Sequence, residues 1–148
     1  MKLSNELKNG ILISLGIGVF FLLMDSLGLS KYYLLRVLNA FIIIYGLNRS
    51  IKSNLENGKK GYLDNLLSTA VTGVIGVALS IFGLALYIDF RGGQNYLNKL
   101  SQTFLFGGTP TIGEYCFGLL IEGIASVLMI VFVNMLLWSR KNSFAIES

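Results

Sequence analysis

The chain reads as an all-α integral membrane protein: a four-helix bundle of two antiparallel transmembrane hairpins, with a short amphipathic surface helix in the third loop. Three observations predict it. Hydrophobic residues make up 53% of the 148 positions and charged residues 14%, with a mean hydropathy of +0.66, whereas an ordinary soluble domain is about a quarter charged. So little charge cannot coat a globule in water, and the solvent that suits it is lipid. Four apolar segments each approach the ~20 residues that cross a ~30 Å hydrocarbon core at ~1.5 Å per residue. These segments show no strand alternation, which leaves helices rather than a barrel as the way to satisfy the backbone in lipid. Residues 1–148 form a single transmembrane domain with spans about 10–29, 32–48, 65–89 and 112–138.

The first span follows Lys2 and Lys8 and carries one charge, Asp25, near its end. It is long, and Asp25 with Leu27-Gly28-Leu29 stands where a cleavage site needs small residues, so it reads as a retained targeting segment. The connection near Ser30 is short enough to force an antiparallel hairpin with the second span, which contains Arg36 and Asn39. A polar loop follows, punctuated by Asn57-Gly58 and Gly61. The third span has no charge from Asn65 to Ile88. Within it Thr69, Gly73, Gly76, Ser80 and Gly83 recur every three or four residues. That spacing makes one stripe of small side chains against which another helix, of this chain or of a partner, approaches closely.

The third connection is the longest. Tyr96, Leu97, Leu100, Phe104 and Leu105 recur there at near-helical spacing around Asn98, Lys99 and Gln102. This pattern predicts a helix lying flat on the outer surface, hinged at Gly92-Gly93 and Gly107-Gly108, with an ordinary loop as the alternative. The fourth span opens on Thr109-Pro110-Thr111. Proline suits a helix start, and Thr111 with Glu114 has capping-box spacing, which accounts for Glu114 structurally. Tyr115 and Trp138 bracket this span as interface anchors, with Tyr87 at a similar level.

Orientation follows from lysine and arginine in the short loops. Eight of them (Lys2, Lys8, Arg49, Lys52, Lys59, Lys60, Arg140 and Lys141) fall on one side, against Lys31, Arg36, Arg91 and Lys99 on the other. This places both termini and the central loop in the cytoplasm and the chain in the inner (plasma) membrane as a multi-pass protein. The net charge of +4 then reflects topology and attraction to anionic membrane lipid. No basic patch interleaved with aromatics points to nucleic acid.

Glu122 is the most informative residue. It lies about ten residues inside the fourth span, roughly 15 Å deep. A carboxyl there costs at least ~2.5 kcal/mol to insert, so it asks for a reason. Asn39 and Ser80 fall at a similar depth in their own spans. Two roles are open: an interhelical polar contact that locks the bundle, or a proton- or ion-handling site. Arg36 sits nearer the outer edge, where it either snorkels outward or turns toward Glu122, Glu114 or Asp25. At the outer helix ends, Asp25, Asp89, Glu114 and Arg91 suggest a polar collar. Most such collars are solvated charges, and the sharper reading is a site for a small polar ligand.

Several functions are excluded. Histidine is absent and cysteine occurs once, at Cys116, so the usual general base, a metal-ligand set and an internal disulfide are missing. There is no phosphate loop, and Gly16-Ile17-Gly18 lies inside an apolar helix, the wrong context for a dinucleotide site. No nucleophile, base and oxyanion donor can be assembled, so the chain reads as a non-enzyme without cofactor or metal.

With its span count, its loop lengths and the phrase Glu114-Tyr115 … Ile121-Glu122-Gly123, the chain resembles small uncharacterised four-span inner-membrane proteins of bacteria. That resemblance implies a fold and no activity. The residues themselves favour an accessory or structural subunit of a larger membrane complex or homo-oligomer. The alternatives are a small proton- or cation-coupled transporter using Glu122, and a lipid- or quinone-binding scaffold gated by the outer helix.

Overall fold

A computed structural model describes residues 4–30, 32–101, 108–141 and 144. The sequence expectations for Lys2, Lys31, Gln102, Phe104, Leu105 and Gly107 fall outside them. Six helices account for most of the described chain: α1 (Asn5–Ser26), α2 (Tyr33–Arg36), α3 (Asn39–Glu56), α4 (Tyr62–Phe90), α5 (Gln94–Leu100) and α6 (Ile112–Arg140), with no strand among the described residues. Four helical stretches are long and apolar enough to cross a membrane: Asn5–Ser26, Leu34–Glu56, Tyr62–Phe90 and Ile112–Arg140.

The boundaries differ from hydropathy where polar residues remain helical. α1 begins at Asn5, capped by the Ser4 hydroxyl, which accepts from the Leu7 amide at 3.2 Å. α3 runs on through Asn48 and Arg49 to Glu56. It stops where Gly58 takes φ +84, a conformation open to a residue without Cβ, and where the Lys59 amide reaches back to the Asn54 carbonyl at 2.9 Å. The expected second span is not one helix. Val37, Leu38, Ala40 and Phe41 donate to the residue three back rather than four, so a tight 3₁₀-like turn separates Arg36 from Asn39.

Side-chain contacts fix how the long helices run. Between α1 and α4 the pairs Glu6–Ser68 and Asp25–Tyr87 keep one sequence offset, so these helices are parallel. Between α3 and α4 the pairs Ser50–Thr72 and Asn54–Ser68 step in opposite senses, so those two are antiparallel. α6 is likewise antiparallel to α4: Val127 covers Gly73 and Val77 covers Gly123. α4 touches every other long helix and forms the centre of the bundle. The main core is Ile13, Ile43, Leu47, Ile51, Val77, Val127, Val131 and Met135. Ile13 is its pivot, since its side chain lies against both Gly46 and Gly76. Without Cβ atoms at those two positions, α3 and α4 both close on α1 and gain the dispersion contacts of a dense interior.

The third connection does contain a helix. α5 spans Gln94–Leu100 and follows Gly92 and Gly93, both at positive φ. Its apolar residues Leu97 and Leu100 are buried against Ile88 and Tyr115 at the end of the bundle. Gln94 ties it to the start of α6 through the Pro110 carbonyl at 2.8 Å.

Candidate functional site

The half of the bundle toward Asp25 is not filled. A cavity of about 550 Å³ lies among α1, α3, α4 and α6, within the ~300–1,000 Å³ usual for small-molecule sites. Its walls are mainly apolar, with Leu22, Phe21, Leu84 and Leu119 among them, and a polar row of Arg36, Asn39, Ser80 and Glu122 crosses them. The three residues singled out for their shared level, and Arg36 with them, therefore line one space. Helix geometry explains it. Ser80 is one turn beyond Val77, and Val77 packs on Gly123, the neighbour of Glu122. Asn39 is one turn from Ile42, which covers Gly16. The three polar residues are thus level to about one ~5.4 Å turn.

The polar groups are already partly committed. Ser80 donates to the Gly76 carbonyl at 2.7 Å, and Ser126, also on the wall, donates to the Glu122 carbonyl at 2.9 Å. Asn39 Oδ1 is buried with no partner among the described residues. Arg36 turns inward onto Tyr115 rather than outward. Its guanidinium donates to the Tyr115 hydroxyl and lies over the Tyr115 ring, 5.7 Å from the centroid. Tyr115 is wholly buried, so it is an interior partner of Arg36 rather than the interface anchor the sequence suggested.

The expected outer collar divides. Asp25 and Arg91 do come together, 3.5 Å apart, with the Asp25 side chain only 9% exposed. Around that carboxylate, Tyr87 donates at 2.7 Å, Tyr96 at 2.8 Å and Ser30 at 3.1 Å. Arg91 lies over both tyrosine rings, 5.8 and 5.7 Å from their centroids. Burial and the bond to Asp25 push the Tyr96 phenol pKa well above the ordinary tyrosine range. Asp89 does not join the cluster; it is exposed at the end of α4. Nor does Glu114, which closes a capping box with Thr111 through bonds of 2.8 and 3.3 Å. A carboxylate that satisfies its own helix start has no need of a neighbouring helix.

The small-residue stripe also divides. Thr69 is buried, Gly73 receives Val127 and Leu47, and Gly76 receives Ile13. These contacts all lie within the chain. Ser80 faces the cavity, and Gly83 is no packing residue: a Cβ built there meets nothing within 4 Å, and it too lines the cavity.

Sequence reasoning missed a second polar layer at the Glu6 end. Asn54 donates to Ser68 at 2.9 Å, Ser68 donates to Glu6 at 2.7 Å, and Lys59 stands 3.8 Å from Glu6. Ser50 and Thr72 pair at 3.2 Å, and Trp138 donates to Asn48 at 2.9 Å. Lone Ser, Thr and Asn residues inside apolar runs carry little signal by themselves, and the spacing i, i+4 of Ser68 and Thr72 on the α4 face was the available clue. Among the described residues no three His, Cys, Asp or Glu side chains gather as a metal would need. Set against known protein families, curated proteins and solved structures, the chain matches none.

Proposed function

We propose that this chain is a non-enzymatic, multi-pass membrane protein that holds a small hydrophobic or amphiphilic molecule within the bilayer. The cavity of about 550 Å³ with its polar row carries the reading. Its four long apolar stretches cross the membrane as two antiparallel hairpins, with both termini and the polar 57–61 loop on the cytoplasmic side by the lysine and arginine balance. α5 then lies at the outer end, over the buried Tyr115, and Asp25 holds it there through Tyr96. An accessory-subunit role rests chiefly on the small-residue stripe, and Gly73 and Gly76 are already occupied by side chains of this chain. Lipid binding within a scaffold therefore fits the geometry better than partner capture.

The test is to fill the cavity. Gly18 and Gly83 line it, and a Cβ on either meets nothing within 4 Å. Gly18→Leu and Gly83→Leu should each lower the affinity for an uncharged hydrophobic probe, in protein reconstituted into nanodiscs, by tenfold or more. Gly113→Leu, equally open but away from the cavity, is the control and should change nothing. Unaltered binding in both cavity variants rules the reading out.

Proton-coupled carriage is the second reading, favoured by the presence of Glu122 on the cavity wall. There Glu122→Gln abolishes proton-driven uptake in proteoliposomes, and absence of uptake in both forms removes it.

A further inference from the structure

We infer that the cavity takes an anionic amphiphile, its carboxylate or phosphate oxygens bound by the Arg36 guanidinium and its hydrocarbon body lying among the apolar walls. This rests on the reading of the cavity as a binding site and names the chemistry of its ligand. The inference comes from the one side chain on the wall whose charge does not depend on its surroundings. An arginine stays protonated inside a protein, and its guanidinium offers five N–H donors and no acceptor. Here Nη2 donates to the Tyr115 hydroxyl. Nε and Nη1 bond to no described residue and are not sealed off by their neighbours, and the side chain lines the cavity. No carboxylate among the described residues stands within ion-pair distance of Arg36. The group that takes its hydrogen bond is a phenol, itself wholly buried.

A guanidinium among apolar walls calls for an anion, because lipid solvates a charge poorly. Carboxylate and phosphate oxygens meet its flat N–H fork in parallel bonds, roughly twice as strong as bonds between neutral groups. Tyr115 holds that fork through both its hydroxyl and its ring face, so little side-chain freedom is left to lose on binding. The position agrees. Tyr115 lies in the first turn of α6, and Tyr87, also on the wall, lies in the last turn of α4. Arg36 therefore stands at the end of the cavity nearest the outer membrane surface in the proposed orientation, where the head of an amphiphile belongs. Glu122 is seven residues beyond Tyr115, about 10 Å along α6, so a head group at Arg36 is clear of that carboxyl. The apolar body has Phe21, Leu84 and Leu119 to lie on. Val19, Leu22 and Val37 line the cavity and are also exposed, so a tail longer than the cavity passes sideways into the bilayer.

The test compares four probes with one tail: octanoate, octyl phosphate, octanol and octylamine. Each is titrated calorimetrically into the full chain in zwitterionic nanodiscs, with empty nanodiscs subtracted. The readout is the ratio of anion to alcohol affinity within each variant, which a general loosening of the cavity leaves unchanged. The expected ratio is tenfold or more in the native chain for at least one anion and close to one in Arg36→Gln. Arg36→Lys, which keeps the charge but loses the fork, should lower it severalfold, and this variant carries the test if Arg36→Gln does not fold. Preference for octanoate assigns the site to a fatty acid and preference for octyl phosphate to a lipid phosphate; either supports the proposal. Neither anion binding better than octanol would overturn it, as would a ratio unchanged in Arg36→Gln or in Arg36→Lys. Tighter binding of octylamine than of both anions would also overturn it, by moving the head group to Glu122. If none of the four binds, octanol included, the cavity reading itself fails rather than the choice of ligand.

Discussion

Gly76 and Gly83 stand seven residues apart on α4, yet the same substitution should act in opposite directions at the two positions. A Cβ at Gly76 would lie 2.7 and 2.9 Å from Cγ2 and Cβ of Ile13, and 3.2 Å from the Gly10 carbonyl oxygen. Ile13 is itself wedged against Gly46 and is 1% exposed, so it cannot swing aside, and the carbonyl belongs to the α1 backbone. A methyl group there must push α1 from α4, and overpacking of this kind costs about 1–3 kcal/mol. At Gly83 nothing lies within 4 Å. Both substitutions gain about 1 kcal/mol of helix propensity, and that gain cancels when the two variants are compared. Gly83→Ala should therefore be more stable than the native chain by up to ~1 kcal/mol. Gly76→Ala should be less stable than Gly83→Ala by ~1–3 kcal/mol, at about tenfold in the unfolding constant per 1.4 kcal/mol. The assay is an SDS titration of the protein in mild-detergent micelles followed by far-UV circular dichroism. Equal midpoints for the two variants would refute the close approach of α1 and α4 at Gly76.

Three further outcomes are expected. Asp25→Ala leaves the Tyr87 and Tyr96 hydroxyls without their acceptor, at about 1–3 kcal/mol each and toward the low end because both rings are half-buried. Hydrogen exchange at the α5 amides should quicken, and adding Tyr96→Phe should cost little more. Tyr96 should ionise above the ordinary tyrosine range, because burial and Asp25 hold its proton. As pH rises past ~10 the unfolded chain releases a proton that the folded chain keeps, so stability falls with pH there. Tyr96→Phe should flatten that fall, and phenolate absorbance follows the titration. Thr111→Ala removes the hydroxyl half of the α6 capping box and should lower stability by ~1 kcal/mol, within a range of about 0.5–2. Thr111→Ser should retain most of it, and thermal unfolding distinguishes the two.

Composition and local pattern by themselves determined the helical class, the four long apolar stretches, the Thr111–Glu114 cap and the shared level of Asn39, Ser80 and Glu122 along their helices. These follow from hydropathy over tens of residues, from rules confined to one helical turn and from counting along an axis, none of which needs to know which helices are neighbours. The break between Arg36 and Asn39 was not legible, since Val37 and Leu38 are as apolar as the residues beside them and only the hydrogen-bond pattern separates the two helices. Tertiary structure decided the rest. It placed Ile13 in the notches of Gly46 and Gly76 and left Gly83, in the same repeat, facing open space. It drew Tyr87, Tyr96 and Arg91 around Asp25, turned Arg36 onto Tyr115, and joined Glu6, Ser68 and Asn54 across three helices. The reason is that a side chain's period tells which face it occupies, while its partner depends on the rotation and register of another helix tens of residues away, and those are set by the packing of the whole bundle.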